Sequence, residues 1–135
     1  LHYAPLDLVT PTGDKPSTVG SRAIMKPWMG EVFDTAYIPD PIRRGDPLAS
    51  PAWGDNADGL HGIAPALIIA PEHDRLRGEA QRYAAALDEV GALIEYYEVP
   101  DVDHGYNIMS DSVETTRRTY DRIVDHVRAV TLRGR

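Results

Sequence analysis

The chain has 135 residues, 42% of them hydrophobic and 26% charged, which fits one soluble globular domain and excludes a disordered polymer. Its formal net charge of −7, with no basic run to offset it, repels nucleic-acid backbones and anionic membrane surfaces. There is no cysteine, hence no disulfide, thiol catalysis or cysteine-ligated zinc, and no stretch approaches the ~18 apolar residues of a membrane span.

The opening Leu1–Leu8 reads as the end of a strand. It begins without an initiator Met, like the inside of a domain, so an N-terminal partner segment is expected to precede it. The cytoplasm is the default compartment. Residues 10–59 form an irregular excursion, because Pro11, Pro16, Pro27, Pro39, Pro41, Pro47 and Pro51 break any long element. Short helical turns are expected around Ser21–Trp28 and Glu31–Tyr37.

Residues 62–133 are more regular. Ala66–Ala70 is a continuous apolar run between Pro65 and Pro71, as in a parallel strand covered on both faces. Leu76, Ala80, Tyr83, Ala84, Leu87 and Val90 then recur every three or four residues, the stripe of an amphipathic helix, and Gly91 follows at the expected stop. Leu93–Val99 is a second strand, rich in β-branched and aromatic residues and ended by Pro100. Val113, Thr116, Tyr120, Ile123, Val127 and Val130 mark a closing helix with Asp111 or Ser112 as N-cap. Strand, helix, strand, helix makes a βαβα unit with its strands parallel.

That connectivity carries chemistry. Both strands end at one edge of the sheet, where open α/β sheets bind ligands. The loops there are Pro71–Arg75, with Asp74, and Asp101–Tyr106, with His104. A carboxylate that accepts the Nδ1 proton of an imidazole fixes its tautomer and lets Nε2 act as a base on a hydroxyl or water. Three other readings of these residues stand beside this one, the first being that His104 is a turn histidine beside Gly105. Asp74 is also placed to cap the following helix. Glu72, Asp74, Asp101 and Asp103 with His73 and His104 offer oxygen and imidazole ligands for a divalent ion, although no ligand spacing such as His-Glu-x-x-His occurs. His73 itself reads as a surface or supporting residue at the helix start.

The stretch from Pro65 to Arg77, followed by Val99–Tyr106 with its His104-Gly105-Tyr106, resembles the end of a hormone-sensitive-lipase-like carboxylesterase of the α/β-hydrolase fold. Tyr3–Leu8 and Asp46–Pro51 resemble further segments of that family in the right order. The resemblance implies an α/β fold, the C-terminal part of an α/β hydrolase, with parallel strands, flanking helices and the order β-insertion-β-α-β-α. Residues 1–135 would be a partial domain, with residues 10–59 as a lid-like insertion and residues 62–133 carrying the two loops. It also implies that Asp74 is the acid and His104 the base of a catalytic triad, acting on small-molecule esters with short acyl chains. No cofactor and no metal are expected.

The departures are as informative. No Gly-x-Ser-x-Gly elbow and no His-Gly-Gly-Gly oxyanion segment occur, and His61-Gly62-Ile63 lies in the wrong place for the latter. Ser110 and Ser112 read as caps of the last helix, not nucleophiles. Tyr96, Tyr97 and Tyr120 read as core or interface residues. Trp28, Phe33 and Tyr37 either line an acyl pocket or pack beneath the insertion. Arg117, Arg118, Arg122 and Arg128 form a solvated helix face. The expected partner is an N-terminal hydrolase half carrying the serine. In the alternative, the chain is a non-catalytic truncated module that covers its sheet edge by forming a homodimer.

Overall fold

The computed structural model describes residues 1–58, 60–109 and 112–133. They fall into two compact units, Leu1–His104 and Gly105–Arg135.

The first unit is organised by two strands, β1 (Ala66–Pro71) and β2 (Leu93–Val99), which pair in parallel with Leu67 opposite Glu95 and Pro71 opposite Val99. β1 is almost wholly buried, as its unbroken apolar run requires. Its other edge meets the start of the chain. The Ile69 N–H donates to the Leu1 carbonyl and the Tyr3 N–H to the Ile69 carbonyl, both at 2.8 Å, in a parallel bridge between His2 and Ile69. The opening residues thus run as a strand end beside β1.

Two helices accompany the strands. The first, α1 (Pro27–Tyr37), lies in the irregular segment of residues 10–59, and the second, α2 (Arg77–Glu89), crosses from β1 to β2. α2 buries Ala80, Tyr83, Ala84 and Leu87 against Ile68, Ala70, Ala92, Leu6 and Ala52 to form the core. Gly91 takes the left-handed conformation that reverses the chain into β2 (φ +70°).

The segment of residues 10–59 departs from expectation. The turns anticipated at Ser21–Trp28 and Glu31–Tyr37 are instead one 3-10 turn at Gly20–Arg22 and the single helix α1, followed by a second 3-10 turn at Pro41–Gly45. Pro27 starts α1 because its fixed φ suits the first helical position and its missing N–H is not needed there. α1 turns Gly30 and Asp34 inward and leaves Trp28, Phe33 and Tyr37 exposed, so these aromatics do not pack beneath the insertion. Gly30 is required for this approach: a Cβ there would sit 1.7 Å from Thr12 Oγ1.

Buried polar groups hold the irregular segments to the regular ones. Lys15, 6% exposed, reaches Glu79 on α2 at 2.5 Å and the Asp7 carbonyl at 2.6 Å. Glu79 Oε1 accepts the N–H groups of Leu6 and Asp7. Ser50 accepts from the Leu8 N–H and donates to the Arg44 carbonyl. Arg75 donates to the carbonyls of Lys15 and Met25. Every buried partner here is matched by charge or hydrogen bond, as burial demands.

The second unit holds the short helix α3 (Tyr106–Met109) and the long helix α4 (Val113–Arg133). The Tyr106 hydroxyl donates to buried Thr119. Ser112 caps α4 by accepting from the Thr115 N–H, whereas Asp111 and Ser110 lie outside the described residues. Arg117, Arg118 and Arg128 pair with acidic neighbours one turn away on the exposed face, and Arg122 is exposed with them. The apolar stripe of α4 is only partly covered. Val113, Tyr120 and Val127 are exposed, so Tyr120 is not a core residue, while Tyr96 and Tyr97 on β2 are half-buried.

Candidate functional site

Because β1 and β2 are adjacent and parallel, the loops that follow them leave the sheet side by side. Three backbone bonds fix their spacing. The Glu72 N–H donates to the Val99 carbonyl and the His73 N–H to the Val102 carbonyl, each at 3.0 Å, while the Asp74 N–H turns back to Pro71. Glu72 Oε2 accepts the Asp101 N–H from across the gap. Asp101 is left-handed (φ +58°), a conformation aspartate tolerates in turns.

Asp74 is 2% exposed and uses both carboxylate oxygens. Oδ1 accepts the Leu76 N–H at 3.0 Å, closing the turn into α2, and Oδ2 lies 2.8 Å from His104 Nδ1. The two readings of Asp74, helix start and imidazole partner, are therefore both realised, one on each oxygen. A carboxylate only accepts, so Nδ1 carries the proton and Nε2 keeps its lone pair. His104 is held from other directions as well. Its N–H donates to Asp103 Oδ1, and Asp103 Oδ2 in turn accepts the Ile24 N–H of the insertion. The Tyr3 ring packs against the imidazole with centroids 4.7 Å apart. Tyr3 has φ +37°, a strained backbone for a bulky residue, and it sits directly at the site.

A cavity of about 340 Å³ opens beside His104. Tyr3, Met25, Phe33 and Leu76 give it apolar walls, and Thr12, Lys15 and Asp34 form a polar patch. Of the three aromatics read as pocket candidates, Phe33 lines this cavity, Tyr37 lines a separate surface hollow, and Trp28 lines neither. Burial pushes the nearby His2 imidazole down to about 4, so His2 is neutral at ordinary pH and adds no charge beside His104.

The other ionisable groups of the two loops separate. His73 Nδ1 lies 2.7 Å from Thr18 Oγ1, and its carbonyl accepts the Ser17 hydroxyl, so it supports the segment around Ser17 and Thr18. Among the described residues, Glu72, His73 and Asp101 are the members of the acidic set whose ligand atoms come within 4.8 Å of one another. Asp74 and His104 are engaged with each other, and Asp103 with the backbone of Ile24. The contributions of Tyr3, Lys15, Met25 and Asp34 were not visible in the sequence. Tyr3 was noted only as part of the Tyr3–Leu8 segment and the other three belong to no motif; all four are known as cavity residues only from the folded arrangement.

A family model described as the alpha/beta hydrolase fold matches residues 1–108. The carboxylic ester hydrolase LipN of Mycobacterium tuberculosis is 36% identical over 75 residues, 55% of this chain and 19% of that protein. The ethyl acetate hydrolase of Pseudomonas putida is 30% identical over 95 residues, 70% of this chain and 29% of that protein. Among solved structures, a hyperthermophilic esterase from Pyrobaculum calidifontis superposes with a TM-score of 0.78 at 25% identity, covering 97% of this chain and 42% of that one. The thermophilic carboxylesterase EstE1, cloned from a metagenomic library, shares the fold with a TM-score of 0.74 at 23% identity, covering 96% of this chain and 43% of that one. The chain spans less than a third of the length of the curated relatives it matches.

Proposed function

Given that this chain belongs to the α/β-hydrolase-fold carboxylesterase family, we propose that it supplies the acid–base half of a serine carboxylic-ester hydrolase, with His104 as base and Asp74 as its orienting acid. The observation that carries this reading is the 2.8 Å contact between His104 Nδ1 and a fully buried Asp74 Oδ2, beside a cavity. In the reaction, Nε2 of His104 takes the proton of a serine hydroxyl as that oxygen attacks the ester carbonyl. The same nitrogen then returns the proton to the departing alcohol, and Asp74 balances the imidazolium in between. The serine and the oxyanion donors come from a polypeptide that this sequence does not contain. The chain then corresponds to the C-terminal portion of the hydrolase domain, with residues 10–59 as its lid-like insertion.

Short acyl esters are the substrates in this reading. A cavity of about 340 Å³ suits a small acyl group, and one relative is named for ethyl acetate hydrolysis. Since oxyanion donors supply much of the rate of acyl transfer, the Asp74–His104 pair alone should not compensate for their absence. The 135-residue chain and its His104→Ala variant should both leave p-nitrophenyl butyrate at the buffer rate. Turnover by the chain that disappears in His104→Ala would mean a nucleophile is already present and would contradict the incomplete-triad reading.

Among the described residues β2 pairs with β1 alone, which favours a second reading, a non-catalytic truncated module that covers this sheet edge by forming a homodimer. Light scattering on the eluting chain decides: a monomer counts against this reading.

A further inference from the structure

The buried carboxylates of the first unit differ in one respect. Asp7 accepts from the N–H groups of Val9 and Thr10, from the Thr10 hydroxyl and from Arg82. Asp74 is satisfied by Leu76 and His104, and Glu79 by Lys15 and two backbone N–H groups. Asp34 is 8% exposed, yet among the described residues its side chain has no hydrogen-bond or ion-pair partner. Its oxygens stay open to the cavity it lines, so a ligand that fills the cavity must replace that solvent contact with a hydrogen bond or leave the carboxyl unpaired.

Its position indicates which partner. Asp34 lies one helical turn after Gly30, on the face of α1 pressed against Thr12, and it lines the same cavity as His104. Burial holds its carboxyl above the ordinary range, against the opposing pull of Lys15 and Arg44. Lys15 also lines the cavity, and its ammonium would repel a cationic ligand. What remains is a neutral hydrogen-bond donor on a molecule small enough for about 340 Å³.

Resting on the ester-hydrolase reading above, we propose that Asp34 is a specificity-determining residue that accepts a hydrogen bond from a hydroxyl group of the ester, carried on its acyl or its alcohol side. An ester without the hydroxyl leaves Asp34 dehydrated and unpaired, which is how a site built around one polar contact rejects an otherwise isosteric ligand.

The test is a titration of the isotope-labelled 135-residue chain, followed by amide NMR, with ethyl butyrate, ethyl 4-hydroxybutyrate and 2-hydroxyethyl butyrate. One of the hydroxylated esters should bind about tenfold more tightly than ethyl butyrate, the size of one hydrogen bond to a charged acceptor. Preference for the second ester places the hydroxyl on the acyl side, and preference for the third on the alcohol side. Asp34→Leu should abolish the preference while ethyl butyrate binds at least as well as before. Equal affinities, no saturable binding of any ester, or a preference that survives Asp34→Leu would overturn the proposal. If Asp34→Leu loses its folded spectrum, the carboxyl carbon of Asp34 in the unaltered chain decides. Its titration should move down with the preferred ester and stay put with ethyl butyrate, and an unmoved titration overturns the assignment. The proton signals of the esters report hydrolysis in the same tube, so a failure of the incomplete-triad reading is seen separately from the order of affinities.

Discussion

Asp74→Asn should lower kcat about 10⁴-fold, with KM nearly unchanged, when this chain works as part of a complete hydrolase. A suitable enzyme is a chimera in which the chain replaces the superposed portion of the Pyrobaculum calidifontis esterase. The size of the effect follows from the two bonds of Asp74. The Leu76 N–H needs an acceptor at Oδ1, so an asparagine keeps its carbonyl oxygen there and turns its amide NH₂ toward His104. An NH₂ facing Nδ1 selects the tautomer with the proton on Nε2, and a protonated Nε2 cannot accept from serine. The loop itself retains its turn, so circular dichroism and melting should change little. Nitrogen NMR of the imidazole should show the proton moving from Nδ1 to Nε2. A loss of less than tenfold would mean that Asp74 serves the turn and not the imidazole.

The second large effect concerns stability. Glu79→Ala should destabilise the chain by about 3–5 kcal/mol, read from urea unfolding, because it strands a buried ammonium. Lys15 would lose its 2.5 Å partner at 6% exposure, and the N–H groups of Leu6 and Asp7 would lose their acceptor. Replacing both partners by methionine should recover most of the loss, since two charges no longer need to be dehydrated. The pH dependence has a definite sign. Burial raises the folded-state pKa of Glu79 above its ordinary value, and Lys15 only partly opposes this. A carboxyl raised on folding binds more protons in the native state, so its contribution to stability is greatest below the ordinary value and is lost as pH rises through the folded one. Lys15→Met removes the opposing charge and widens that window. The variant should therefore lose more stability than the unaltered chain between pH 5 and pH 8, and an equal loss would mean that Lys15 does not govern Glu79.

Much of the regular half was legible because its signals are local. The apolar run at Ala66–Ala70, the stripe from Leu76 to Val90 and the stop at Gly91 each reflect neighbours within one element, and the structure places them as read. The approach of Asp74 and His104 was legible for a different reason: parallel strands joined by one helix must end at the same edge. The insertion was not legible in detail. Its prolines mark breaks, yet Pro27 begins a helix, and the orientation of α1 depends on Gly30 meeting Thr12, a contact no periodicity announces. The Lys15–Glu79 pair joins residues far apart in sequence, and Asp34 reads as one more acidic residue on a helix until its burial is known. On α4 the stripe was correctly helical, but periodicity identifies an apolar face without saying what lies against it.

If His104 is the base of an ester hydrolase, the folded chimera and its His104→Ala variant should differ sharply in p-nitrophenyl butyrate turnover. Turnover should fall by about 10⁶ in the variant. A folded chimera that hydrolyses the ester equally well without His104 would contradict it.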